Sequence, residues 1–171
     1  MSCTLTQGNT LDCKDSKGGI KTVYIADMSD TGSTITIASG VVTAWSSAAT
    51  DFWTYQVRPE TSNHDWDIVP SEANGTSFYT HKLTIKLHKM TAALSEEIVR
   101  LVQKRLHIIV LDRNGKYWLL GYTNGMTVVA STAGTGTAMG DMNGYTLNFS
   151  SNEEYQPYEV SSGIIAAMLK A

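Results

Sequence analysis

The sequence predicts a mainly β fold, a sandwich or barrel with one flanking α-helix, and three observations carry that expectation. Tyr79, His81, Leu83, Ile85 and Leu87 alternate with Thr80, Lys82, Thr84 and Lys86, the period of a half-buried strand. One amphipathic segment follows, from Thr91 to Lys104. The apolar runs Leu106–Asp112 and Lys116–Gly121 then flank Asn114-Gly115, the favoured dipeptide of a type I′ hairpin turn. The 171 residues suffice for one substantial core.

Residues 1–19, with Gly8, Asn9, Asp12, Gly18 and Gly19 and few large apolar groups, read as an extended arm or folded loop that a neighbour could order. The main domain spans 20–160. It opens with a strand over Ile20–Ala26 whose two apolar faces call for cover on both sides. Thr34–Ile37 and Val41–Trp45 form a small hairpin through Gly40, and Asp51–Arg58 is a strand ended by Pro59. Residues 59–76 read as a connecting loop with a short strand near Trp66–Val69, and Thr76–Lys89 as one long strand that projects beyond a sandwich or wraps a barrel wall.

In the helix, Leu94, Ile98, Leu101 and Val102 make the buried stripe, Glu96 and Glu97 early with Lys104 and Arg105 late suit the helix dipole, and Glu96 pairs with Arg100. Met126–Ser131 is a further strand. Val129 through Phe149 form a long hairpin with a mobile tip of small residues, Thr132–Gly140. Tyr155–Val160 is an edge strand interrupted by Pro157. The segment 161–171, with the apolar run Ile164–Leu169, is a short helix or strand that something must cover, its own barrel or an adjacent subunit.

Charge excludes several function classes. Sixteen acids against 13 Lys plus Arg give a net charge of -3, no general attraction for phosphate backbones or anionic membranes. Only 17% of residues are charged, and surfaces of Thr, Ser, Gly and Asn are cheap to desolvate, which favours a protein covered by copies of itself over a β-rich monomer. No stretch reaches the ~20 apolar residues of a membrane span, so no membrane insertion is expected. The polar run Ser2–Asn9 does not read as a signal peptide. Cys3 and Cys13 could pair only if the early segment folds back, and reduced thiols are the simpler reading.

No constellation points to chemistry, and no catalytic residue, metal or cofactor is expected. His81 and His88 fall on opposite strand faces, and His64 with Asp65 and Asp67 is a chance loop cluster. Asp141-Met142-Asn143-Gly144 starts like a calcium loop but has Asn152 where the twelfth-position Glu belongs. Gly134-Thr135-Gly136 lacks the Lys-Ser or Lys-Thr of a phosphate loop, and Gly-x-Ser-x-Gly and His-Glu-x-x-His are absent. Trp45, Trp53, Trp66 and Trp118 would form a ligand platform only if they met in one exposed cleft rimmed by loops 46–51 and 60–76.

The stretch Lys104–Val160 carries a resemblance. The helix running into Leu106–Leu111, the hairpin to Leu119-Leu120-Gly121-Tyr122, the segment Asn124–Val128 and the run Gly136–Phe149 resemble the phage tail-tube family of structural proteins. Leu11–Asp15 with Gly18–Lys21 is similar to the start of small virion proteins of phages infecting Bacteroides-like hosts. The resemblance implies a virion protein, assembled in the host cytoplasm. It would form a ring of a tail tube, neck or collar, commonly sixfold, that stacks on neighbouring ring proteins around a channel for non-specific passage of double-stranded DNA. It implies that Cys3, Leu5 and Leu11 in the arm contact adjoining subunits or rings. Thr132, Gly134, Gly136, Met139 and Asp141 in the hairpin tip would do the same, as would Ile164, Ile165 and Leu169 in the tail. The competing expectation is a monomeric β-rich binding or capsid-decoration module.

Overall fold

The computed structural model describes residues 7–10, 13–31, 34–46 and 52–170. In chain order its elements are β1 (Ile20–Asp27), β2 (Thr34–Ala38), β3 (Val41–Ser46), β4 (Trp53–Gln56), β5 (Asn63–Ser71) and β6 (Thr76–His88), then α1 (Ala92–Gln103). There follow β7 (Leu106–Asp112), β8 (Tyr117–Leu120), β9 (Thr127–Val128), β10 (Thr132–Gly134), β11 (Gly144–Glu153), β12 (Tyr158–Val160) and α2 (Ser162–Met168). The strands form a seven-stranded sheet, ordered β2-β3-β12-β8-β7-β1-β4, and a five-stranded sheet, ordered β10-β11-β6-β5 with β9 also on β11.

Two cores explain why neither sheet closes into a barrel. Val23, Ile25, Ile108 and Val110 from the seven-stranded sheet pack against Leu83, Ile85, Leu147 and Phe149 from the five-stranded sheet, with Leu101 of α1 beside them. On the opposite face of the seven-stranded sheet Tyr24, Ile109, Leu111 and Leu119 form a second cluster with Phe52, Val160, Ile165 and Met168. A barrel has one interior; here the central strands are buried on both faces, and the second face is roofed by α2. The apolar faces of β1 therefore have the cover that they demand. A bulge at Lys21, where Ile20 pairs with Asp112 and Thr22 with Leu111, turns Ile20 onto the Val23 and Ile25 side.

The turn chemistry differs from expectation. The hairpin β7–β8 has a four-residue connection, Arg113-Asn114-Gly115-Lys116, in which only Gly115 takes a positive φ (80°). The Asp112 Oδ1 accepts from the Asn114 and Lys116 amides at 2.8 Å, which stabilises this wider turn over a type I′ pair. Asn114 is freed to hold the N-terminal segment, its Oδ1 accepting from the Lys17 amide at 2.8 Å and its Nδ2 donating to the Lys17 carbonyl at 2.9 Å. The type I′ signature lies in the β2–β3 hairpin, where Ser39 (φ 51°) and Gly40 (φ 80°) are both left-handed.

Three further corrections concern elements. Residues 63–71, expected mostly as loop, are a nine-residue strand paired along β6 from Asn63↔Thr84 to Ser71↔Thr76, and Pro70 is tolerated because β5 is an edge. Segment 158–160 is not an edge: β12 lies between β3, to which it is parallel, and β8. The strand expected over Met126–Ser131 shrinks to Thr127–Val128.

In α1, Thr91 caps the N-terminus by accepting from the Leu94 amide at 3.2 Å. Leu94, Ile98 and Leu101 form the inward stripe, while Val102 is rotated out and 54% exposed. Arg100 pairs with Glu97 at 3.3 Å rather than with Glu96, because Glu97 is turned toward β4 and accepts from the Tyr55 hydroxyl at 3.4 Å. Lys104 pairs with Asp27. Burial alone would raise the Asp27 carboxyl, but the Lys104 ammonium and Ser29 outweigh it and hold it low.

Candidate assembly surfaces

The long pair β5–β6 changes character along its length. From His81 to Leu87 alternate residues of β6 are buried, but none is buried from Thr76 to Thr80. Over this outer part Trp66 and Ile68 point to the face that His81 and Tyr79 share, while Phe78 and Val69 point to the other, so the hairpin is apolar on both faces. Ile68 is 62% exposed, Phe78 39% and Trp66 37%. A strand pair that is apolar on both sides and projects past its own core presents contact area that this subunit leaves uncovered. The rings of Trp66 and Trp118, 6.5 Å apart, brace its base against β8.

Inward of Thr80 the outer face of the five-stranded sheet is polar. Register places Thr80, Lys82, Thr84 and Lys86 of β6 beside Asn152, Ser150, Asn148 and Thr146 of β11. The Thr84 hydroxyl donates to Asn148 Oδ1 and the Thr80 hydroxyl to Asn152 Oδ1, each at 2.9 Å, knitting hydroxyls and amides into rows. Lys82 is paired with Asp67, so its charge is balanced within the subunit.

The tip between β10 and β11 is held by its own side chains. Gly136 turns with φ 72°, and Asp141 Oδ2 accepts from the Thr137 and Ala138 amides at 2.8 Å each. Those backbone amides, Ala138 foremost, hold the Asp141 carboxyl below its ordinary range. Thr132, Gly134, Gly136, Met139 and Asp141 are all exposed here, and Met139 is fully so. Of the tail residues, Ile165 is 4% exposed and packs in its own subunit's second core. Ile164 is half-buried against the same cluster, and Leu169 bridges to Phe52 with a partly exposed side chain. Cys3, Leu5 and Leu11 lie outside the described residues; Cys13 is exposed and free.

A buried polar knot, which sequence spacing did not reveal, sits between the sheets. Glu153, 2% exposed, accepts from the Thr123 amide at 2.8 Å, the Asn124 amide at 3.1 Å and the Ser151 hydroxyl at 2.7 Å. Beside it His81, 1% exposed, lies 3.0 Å from the Tyr155 carbonyl through Nε2 and 3.5 Å from the Gly121 amide through Nδ1. A carbonyl on one nitrogen and an N–H on the other specify the neutral Nε2–H tautomer. Burial depresses the His81 pKa against the opposing pull of the Tyr155 carbonyl and Glu153. The donors around Glu153 tie loop 121–124 to β11, a structural clamp.

The remaining clefts hold mutually engaged groups. A cavity of about 270 Å³ between α1, β1 and β4 is lined by Trp53, Tyr55, Asp27, Glu97, Arg100 and Lys104, and contains the pairs described above. The Lys170 ammonium sits 4.9 Å from the Trp53 ring centre. The four tryptophans do not meet in one cleft: Trp45 is edge-on to Phe52 and His107, Trp66 neighbours Trp118, and Trp53 lies under Lys170. His64 shares the inner strand face with His81, whereas Asp65 and Asp67 point to the outer one, and among the described residues no cluster of three metal-ligating groups occurs. No described helix is long and apolar enough to cross a membrane.

Comparison with protein-family models, curated proteins and solved structures found no match for this chain.

Proposed function

We propose that this chain is a virion structural protein that forms an oligomeric ring of a phage tail or neck around the DNA channel. The observation that carries the reading is the five-stranded sheet, whose margins pair with no further strand among the described residues and whose outer face is polar inward of Thr80. Its margins are β5 on one side and β9 with β10 on the other. Unpaired edges invite pairing with another chain, and head-to-tail pairing of two different margins closes into a ring when the rotation per copy permits.

In such a ring the Thr, Ser and Asn rows of β6 and β11 line the channel. DNA binding strengthens with each phosphate that a Lys or Arg neutralises. A lining of hydroxyls and amides, with Lys82 matched by Asp67 and Lys86 the one row lysine outside any ion pair among the described residues, gives a passing duplex few such anchors. The helix α1 lies away from the lining, and the 132–141 tip is free to reach an adjoining ring.

Electron cryo-microscopy of the purified chain and of particles tests this reading, and rings with β6 on the lumen wall are the expected image. Deleting 132–141 should spare the monomer fold and abolish stacking. A chain that stays monomeric at high concentration, with both sheets' margins facing solvent, overturns the ring and favours the decoration module.

A further inference from the structure

The two ends of β6 are chemically opposite. At its start, the hairpin from Asp65 to Lys82 carries Asp65, Asp67 and Glu72 against one cation, Lys82, which pairs with Asp67, together with the exposed Ile68 and Phe78. At its far end, about 40 Å away for thirteen extended residues, a shallow groove is lined by Arg58, His88, Lys89, Met142 and Asn143, with Gly140 and Asp141 on the tip side.

Among the described residues the side chains of Arg58, Lys89 and Glu72 have no hydrogen bond or ion pair within the subunit. Arg58 and Lys89 outnumber the one carboxylate, Asp141, whose Oδ2 is occupied by the Thr137 and Ala138 amides, so the groove is net basic in a chain that is net acidic. Exposed Met90 and Met139 flank this end of the molecule. Methionine is the adaptable apolar partner for Ile and Phe side chains. Lys89 itself holds a left-handed backbone, φ 69°, with its amide donating to the Asn143 carbonyl at 2.8 Å, so the groove wall is pinned to the tip.

We propose that the groove of Arg58, His88 and Lys89 receives the β5–β6 hairpin of a second copy of this chain. Glu72 meets Arg58 and Lys89, while Ile68 and Phe78 meet Met90 and Met139. Donor and acceptor surfaces lie at opposite ends of one strand, so the contact is heterologous and propagates along the strand direction. It rests on the ring reading by supplying the axial contact between rings, and it exists as a head-to-tail contact without lateral closure.

The test is charge reversal with rescue. R58E/K89E should reduce stacked assemblies, counted by negative-stain microscopy and sedimentation, by about tenfold or more, because like charges face each other across the joint. E72K/D65K alone should do the same, and mixing the two variants should restore alternating stacks. Single rings that persist in R58E/K89E support the inference, and stacking unchanged by the reversal overturns it. If the wild-type chain forms no rings, disulfide trapping of E72C with K89C in a C3S/C13S background reads the joint directly. Cross-linked head-to-tail chains then support it, and their absence under oxidation overturns it.

Discussion

In the seven-stranded sheet β7 buries every residue from Leu106 to Leu111, whereas in the five-stranded sheet β5 buries none. Both are strands of similar length in the same sandwich, so length does not separate them. The difference is cover: β7 lies between two cores, and β5 has one neighbour strand, a free margin and a projecting end. The first sheet is covered on both faces, and the outer end of the second presents surface that the subunit leaves uncovered.

Substitutions should divide along that line. Phe52→Ala, at 0% exposure under α2, should cost about 3–5 kcal/mol in urea denaturation, since truncating a buried aromatic side chain leaves a cavity. A cost near zero would mean that the second core contributes nothing and the sheets are alike. Glu153→Ala leaves the Thr123 and Asn124 amides and the Ser151 hydroxyl without their acceptor, and about 1–3 kcal/mol of destabilisation is expected from stranded buried donors.

Acid provides a third, smaller lever. Burial depresses the pKa values of His64, His81 and His107 below 6.5, so below that pH the unfolded chain binds more protons than the folded one. Their contribution is complete above pH 6.5 and declines as the pH falls toward the depressed folded values. The urea midpoint should drop between pH 7.5 and 5, and His81→Gln should flatten that drop. At the opposite extreme Ile68→Ser with Phe78→Ser should move stability by no more than about 0.5 kcal/mol, as exposed sites do, yet abolish assembly. A large loss of stability there would show that the hairpin belongs to the core.

Much of this partition was legible from periodicity. The strict alternation of β6, the amphipathic helix after Thr91 and the double-faced β1 appear where local pattern places them. The length of β5 was not legible, because its apolar residues fall on both faces and Pro70 and two aspartates imitate a loop. Nor was the knot around Glu153: its partners lie 29 and 30 residues away, at backbone amides that carry no sequence signature. Asn114 misled for a related reason, since the side chain that marks a type I′ turn serves instead to grip Lys17.

The position of β12 has a consequence for the order of events during folding. It fills the gap between β3 and β8, so two earlier hairpins wait side by side without their shared neighbour until residues 158–160 have been synthesised. The large sheet is therefore completed late, by a short strand that also carries α2 into place over Phe52. Ribosome-bound nascent chains truncated before Tyr158 should expose this slot to chaperones and proteases, and full-length chains should close it.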